Sequence, residues 1–191
     1  MLDLKPLVHE ILKEYPLSRQ NMHGIAHWAR VLENGRRLAE RIRVNAEVVE
    51  LFAVFHDSRR VTVRSDPAHG LRGANFAAKL RGGLFDLSDD DFDLLFVACA
   101  GHTDRPTDDD PTVQTCWDAD RLDVGRAGAT IEPLWLGEAT VDDHQEIIEW
   151  ADRRARNRVI PDLIHQDWGI PTDSWKQGRP SAAKGKPVRP R

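Results

Sequence analysis

The chain has few cysteines and lacks the common nucleotide-loop and nucleophile motifs. Two cysteines, Cys99 and Cys116, are too few for a disulfide framework, and no C-x-x-C metal knuckle is present. Such sparse cysteine usage favours a reducing compartment. The sequence also contains no P-loop, no G-x-S-x-G elbow and no G-x-G-x-x-G fingerprint. Phosphate or nucleotide chemistry, if present, must therefore use other groups.

Long hydrophobic runs are missing as well. No uncharged stretch approaches the ~20 residues that a membrane helix needs. The segment Met1–Tyr15 contains Asp3, Lys5, Glu10, Lys13 and Glu14, so it lacks the apolar core of a signal peptide. We expect a cytoplasmic protein with no membrane partner.

Charge is distributed unevenly. Six of the 27 basic residues lie in 176–191, which contains no acidic residue, so residues 1–175 carry 21 basic and 31 acidic side chains. An acidic body argues against specific nucleic-acid binding, which relies on neutralised phosphates. We expect one domain over 1–175 and a disordered, proline-containing basic tail over 176–191. The tail is either a solvated end or a weak anion-binding segment.

Helical periodicity dominates, and no run alternates with period two. We therefore predict an all-α fold, a single-domain helical bundle. Gly35 inside a helix predicts close approach of another helix, and Ser88 with Asp91 predicts an N-cap. A last helix is predicted with Thr140 as its cap. The predicted helices span about 4–12, 22–42, 46–57, 68–80, 89–102, 112–123 and 140–151.

His56-Asp57 closes the apolar segment 48–55, which places two metal-capable side chains at the end of a buried helix. Burying an imidazole beside a carboxylate costs several kcal/mol unless the two are paired or bound to a metal. Neighbours on a helix diverge by about 100°, so one ion touches both only at the helix shoulder, with ligands from other helices. His27 and Asp120 would supply these ligands. The alternative for each histidine is a hydrogen-bonded packing role.

The segments 27–31 (His-Trp-Ala-Arg-Val), 55–57 (Phe-His-Asp) and 118–123 (Asp-Ala-Asp-Arg-Leu-Asp) resemble motifs of the HD-domain superfamily of metal-dependent phosphohydrolases. The resemblance covers about residues 20–125 and implies a helical bundle of the HD-domain type. By this match Asp118 and Asp123 are supporting or surface carboxylates. The implied metal ligands are His27, His56, Asp57 and Asp120.

Two further histidines, His69 and His102, lie between the central and final motifs. Some branches of the family use histidines in this interval for a second metal. The competing role is substrate contact or acid catalysis. We expect one tightly held ion, with His69 and His102 facing the phosphate and acting with Asp57 in catalysis. The Gly-Tyr-Pro signature of the cyclic-dinucleotide phosphodiesterase branch is absent.

Imidazole and carboxylate ligands without thiolate suit Mn, Fe, Co, Ni or Zn. Four protein ligands favour an octahedral ion with bound waters over closed tetrahedral zinc. Such an ion would lower the pKa of a bound water toward about 7 and polarise a phosphoryl oxygen. Substrate phosphate would be balanced by the arginines nearest the motifs, which are Arg59, Arg60 and Arg105.

The sequence thus predicts a metal-dependent phosphohydrolase that acts on a phosphomonoester or phosphodiester of a nucleotide or a similar small phosphorylated metabolite. Two alternatives stay open: a di-iron HD-domain oxygenase and a non-catalytic metal- or nucleotide-binding regulator. The oligomeric state is not determined by the sequence, and a homodimer is compatible with it. Trp135 and the segment 125–139 are candidates for the substrate entrance.

Overall fold

The computed structural model describes residues 2–175, without the side chains of residues 142 and 143, and its regular structure is helical. No β-strand forms within this range, where one isolated bridge joins Arg81 and Phe85. The all-α prediction is confirmed, whereas the predicted tail at 176–191 lies outside the described residues. The helices are α1 (Lys5–Lys13), α2 (Ile25–Ala39), α3 (Ala46–Phe55), α4 (His69–Leu80), α5 (Asp89–Gly101), α6 (Pro111–Arg121), α7 (Glu138–Asp143), α8 (Gln145–Arg156) and α9 (Leu163–Gln166).

Helix α3 lies at the centre of the bundle. Its eight residues Val48–Phe55 are all buried, and it packs against α2, α4, α5 and α6. A mostly apolar helix that is buried on every side is stable in such a central position, and its one buried charge, Glu50, is paired with Arg36 at 2.8 Å. Its start is fixed by Asn45, whose side chain accepts from the backbone N–H groups of Glu47 and Val48. Whatever follows Phe55 therefore begins in the interior of the protein.

Gly35 lets the neighbouring helices approach α2 closely, as predicted. A Cβ atom at this position would lie 2.5 Å from Cγ1 of Val49 on α3 and 3.5 Å from Cβ of Ala119 on α6. Nearby, the side-chain amide of Asn34 donates to the carbonyl oxygen of Ala119 at 2.9 Å. Helices α2 and α6, which contain His27 and Asp120, and helix α3, which ends just before His56, are thus packed directly on one another.

Helix ends were predicted well in one case and wrongly in another. Ser88 caps α5, where its hydroxyl accepts from the backbone N–H of Asp91. Thr140, in contrast, lies inside α7 and caps nothing, and His144 separates α7 from α8. The hydroxyl of Thr140 donates to the Asp118 carboxylate at 2.6 Å, so a tertiary contact has replaced the local cap.

None of the helices in residues 2–175 is both long enough and apolar enough to cross a membrane. The longest, α2, has 15 residues and carries arginines and a glutamate.

Candidate metal centre

The four predicted ligands lie at helix ends that meet beside α3. His27 belongs to the first turn of α2, and Asp120 belongs to the last turn of α6. His56 and Asp57 directly follow the last residue of α3. Nε2 of His27 lies 3.0 Å from Nε2 of His56, 3.3 Å from Oδ1 of Asp120 and 3.6 Å from Oδ2 of Asp57. Residues from three helices thus converge on a volume that could hold a metal ion.

Asp57 joins two halves of a larger cluster. Its Oδ2 faces His27 and His56, the latter at 3.8 Å from Nε2. Its Oδ1 faces the other way, toward Nε2 of His69 at 3.1 Å and Nε2 of His102 at 3.9 Å. Asp57, His69 and His102 form a second group of side chains able to hold a metal ion. The two additional histidines therefore lie at the predicted site and share a carboxylate with it.

The hydrogen-bond partners of the four histidines determine which ring nitrogen faces inward. In each ring Nδ1 lies beside an oxygen that can only accept, so Nδ1 carries the hydrogen and Nε2 presents its lone pair. The Nε2 atoms of His69 and His102 are 3.0 Å apart, as are those of His27 and His56. Facing lone pairs at this distance are satisfied by a shared proton or a cation. The Nδ1 acceptors are Asp123 Oδ2 for His27, Phe52 O for His56, Asp66 O for His69 and Cys99 O for His102.

Protonation states in the cluster suit metal binding. Burial lowers the pKa of His56 to about 3, and burial also lowers the pKa of His102. Burial alone would raise the pKa of Asp57, but His56, together with other histidines, holds that pKa well below its usual value. Burial alone would likewise raise the pKa of Asp120, but the neighbouring His27 and His56 hold it well below its usual value. Neutral imidazole and ionised carboxylate are the forms in which these groups bind metals.

Asp123 orients His27. Its carboxylate accepts from Nδ1 of His27 at 2.7 Å and from Nε of Arg30 at 2.6 Å, and it is almost fully buried. A carboxylate behind a ligating imidazole fixes its tautomer and its direction. The predicted supporting role of Asp123 agrees with this position.

Asp118 is buried but does not contact the histidines. Its carboxylate accepts from the side chain of Gln114 at 2.6 Å, from the backbone N–H of Gly137 at 3.1 Å and from Thr140. Asp118 therefore holds the start of α7 against α6, and it orients none of the predicted metal ligands.

The three predicted substrate arginines differ in placement. Nη1 of Arg60 lies 3.2 Å from Oδ1 of Asp57 and 3.0 Å from Nε2 of His69, so Arg60 belongs to the cluster. Arg59, its neighbour, turns away, and its guanidinium lies over the Phe76 ring and donates to the backbone of Glu14. Successive residues leave the chain in different directions, which explains why only one of the pair reaches the site.

Arg105 is not brought to the cluster either. Its side chain is 61% exposed, and the closest carboxylate among the described residues is Asp108, at 3.8 Å from Nη1. Because Arg105 follows the end of α5 by several residues, it lies on the surface rather than beside His102.

His23 was not among the predicted site residues. Its Nδ1 lies 2.8 Å from Oδ2 of Asp57, and with His27 and Asp57 it forms a third group able to hold a metal ion. The available signal was the spacing of four from His27, which puts both side chains on one side of the chain. His23 precedes α2 and is only partly buried, so it adds a polar rim to the centre.

Gly70 allows α4 to reach the end of α5. A Cβ atom at Gly70 would overlap the carbonyl oxygen of Cys99 and lie 3.0 Å from Nδ1 of His102. Only a residue without a side chain permits this approach, and the approach places His69 beside His102. Gly73 serves the same close packing of α4, since a Cβ atom there would overlap the carbonyl oxygen of Phe55.

No protein-family model, no curated protein and no solved structure matches this chain. The family resemblance therefore stays a prediction that depends on the motif residues alone. The geometry establishes the coarser statement: an all-helical protein contains a buried histidine–aspartate cluster that could hold a metal ion.

Proposed function

We propose that this chain is a metal-dependent phosphohydrolase of the HD-domain type, which hydrolyses a phosphomonoester or phosphodiester of a nucleotide or a similar small metabolite. The observation that supports it most is the convergence of His27, His56 and Asp120, from three separate parts of the chain, on one group able to hold a metal ion. The fourth motif residue, Asp57, borders this group, with Oδ2 at 3.6 Å from Nε2 of His27. A cation between them would neutralise the buried Asp57 and the largely buried Asp120 and accept the inward-facing imidazole lone pairs.

Nitrogen and oxygen ligands without thiolate suit Mn, Fe, Co, Ni or Zn. Such an ion supplies Lewis acidity, which polarises a phosphoryl oxygen and lowers the pKa of water toward about 7. The protein supplies the rest. His27 is directed by Asp123, and Oδ1 of Asp57 points away from His27 toward the space where the reacting group would lie.

The position of Arg60 favours a single bound ion with a substrate phosphate next to it. Its Nη1 donates to Asp57 and His69 at the place where a second ion would bind, and two cations there would repel each other. A guanidinium is well suited to hold phosphate oxygens. With Nδ1 committed to backbone carbonyls, His69 and His102 present Nε2 as proton acceptors. They would receive a proton from the attacking water, rather than donate one.

A specific observation also favours a second candidate, the di-iron oxygenase. Asp57, His69 and His102 form their own potential metal group, and Asp57 would serve both groups, since its Oδ2 faces His27 and its Oδ1 faces His69. This arrangement requires Arg60 to move aside. Metal stoichiometry distinguishes the candidates, because the phosphohydrolase proposed here holds one ion per chain and the oxygenase holds two.

The test combines elemental analysis of the purified protein with turnover of phosphomonoesters, nucleotides and phosphodiesters in the presence of Mn, Fe, Co, Ni or Zn. We expect one bound ion and phosphate release, both lost in Asp120→Ala. Asp118→Ala is the matched control, since it removes a buried carboxylate from the same helix without touching the cluster.

The outcomes separate the candidates. If the purified protein binds none of these metals, the proposed metal-dependent activity is refuted. Two irons with oxygen-dependent turnover would establish the oxygenase, and metal binding without turnover of any phosphoester would favour the non-catalytic regulator.

A further inference from the structure

The predicted metal ligands are almost closed to solvent, and Asp120 is the most exposed of the four. The side chains of His27 and His56 have no exposed surface, whereas Asp120 is 18% exposed. Asp120 and His102 line a cavity of about 260 Å³. The part of a substrate that is not hydrolysed would occupy this cavity while its phosphate lies at the cluster.

The cavity offers little to a second phosphate. Its single cation among the lining residues is Arg121, whose Nη1 donates to the Pro106 carbonyl at 2.7 Å and whose Nη2 donates to the Arg105 carbonyl at 2.6 Å. Arg121 is therefore committed to holding the wall. The acidic side chains of Asp120 and Glu132 also face this cavity and would repel an additional anion.

Trp135 gives the cavity a flat aromatic surface. It ends the 3₁₀ turn Pro133–Trp135, and 43% of it is exposed. Its backbone carbonyl is fixed by Arg121 and by the side-chain amide of Gln114, and its ring lies 5.2 Å from the Arg121 guanidinium. The backbone of Trp135 is thus anchored, and its half-exposed indole at the cavity offers a flat face on which planar rings stack well.

We propose that this cavity binds a flat, uncharged ring of the substrate, stacked on Trp135. The substrate class is then a monoester of an aryl alcohol or a nucleoside monophosphate, and not a nucleoside di- or triphosphate. Val124 and Ile131 complete the apolar wall around the ring. That the substrate carries a phosphate ester follows from the phosphohydrolase function proposed above, whereas the binding of a ring is inferred from the residues that line the cavity.

The test compares ligands that differ in the ring alone. Phenyl phosphate and methyl phosphate serve as substrates, and phenylphosphonate and methylphosphonate serve as non-hydrolysed ligands in calorimetric titration of the metal-loaded protein. Trp135→Ala should raise the KM for phenyl phosphate and the Kd for phenylphosphonate by roughly 5- to 150-fold, which is the range measured for base–aromatic stacking. The methyl compounds should be unaffected, and Trp135→Phe should retain most of the ring preference.

Leu134→Ala is the matched control. Leu134 precedes Trp135 in the same turn, is 89% exposed and does not line this cavity, so its loss should change neither ligand. If Trp135→Ala weakens the phenyl and methyl compounds equally, or weakens neither, the ring site is refuted. If neither phosphate is hydrolysed, the phosphohydrolase function fails. In that event a Trp135-dependent preference for phenylphosphonate over methylphosphonate still upholds the ring site, and its absence refutes it.

Discussion

Asp123→Asn is the sharpest test of how the protein prepares His27 for metal binding. The substitution keeps the size of the side chain but removes the charge that pairs with Arg30, and it replaces one acceptor oxygen with a donor. If the new amide donates to Nδ1 of His27, the ring hydrogen moves to Nε2, the atom that faces His56 and Asp120. Loss of such a supporting partner typically lowers metal affinity ~10–100-fold.

The same change should destabilise the fold, because Asp123 is 1% exposed and Arg30 would be left buried without its partner. Breaking a buried ion pair in this way costs about 3–5 kcal/mol. Metal affinity is measured by competition with a chelator, and stability by urea denaturation of the metal-free protein. Asp118→Asn is the control, because this equally buried carboxylate does not contact the histidines. Unchanged metal affinity in Asp123→Asn would refute the orienting role, whatever happens to stability.

Three further predictions follow from the packing and the charges. Folding lowers the pKa of His56 from 6.5 to about 3, so the unfolded chain takes up a proton that the folded protein does not. This residue alone should lower the free energy of unfolding of the metal-free protein by about 2 kcal/mol between pH 7 and pH 5. Denaturation across this window should show a shallower slope in His56→Asn, and equal slopes would contradict it. Gly35→Ala should cost about 1–3 kcal/mol through overlap with Val49, despite the better helix propensity of alanine, so a more stable variant in urea would count against the close packing. Arg60→Ala should slow phosphoester turnover ~10²-fold while Arg59→Ala leaves it intact, and equal kcat losses would show that Arg60 has no special place at the site.

Most helix positions follow from local signals in the sequence. The apolar segment before His56 is buried on every side, and Ser88 supplies the cap that its hydroxyl and the acidic turn after it predict. The last predicted helix exists as α8, but its start was wrong, because Thr140 looks locally like a cap while in the fold its hydroxyl donates to Asp118 on another helix. A sequence pattern cannot show which of two available acceptors a hydroxyl takes.

The candidate site was predictable to a similar degree. The motifs single out four residues, and the fold brings His56, Asp120 and Asp57 to 3.0, 3.3 and 3.6 Å from Nε2 of His27, because each of the four lies at or directly after a helix end. The placement of Arg59 was not predictable from its position in the chain. It depends on the Phe76 ring and the Glu14 carbonyl, which are distant in sequence and offer the guanidinium a better position than the cluster does.

The metal-free cluster conflicts with the rules that otherwise govern a protein interior. It places the buried Asp57 and the partly exposed Asp120 beside four imidazoles whose Nδ1 atoms are already committed, so Nε2 lone pairs face each other across 3.0 Å. Ion pairs and hydrogen bonds with Arg60 and Arg30 offset part of the cost, yet apolar side chains of similar volume would be cheaper to bury. Departures of this kind concentrate at functional sites. Since a divalent ion would neutralise both carboxylates and accept the lone pairs at once, metal binding should stabilise the fold strongly, and removal of the metal should leave its most destabilised region around α3 and the start of α4.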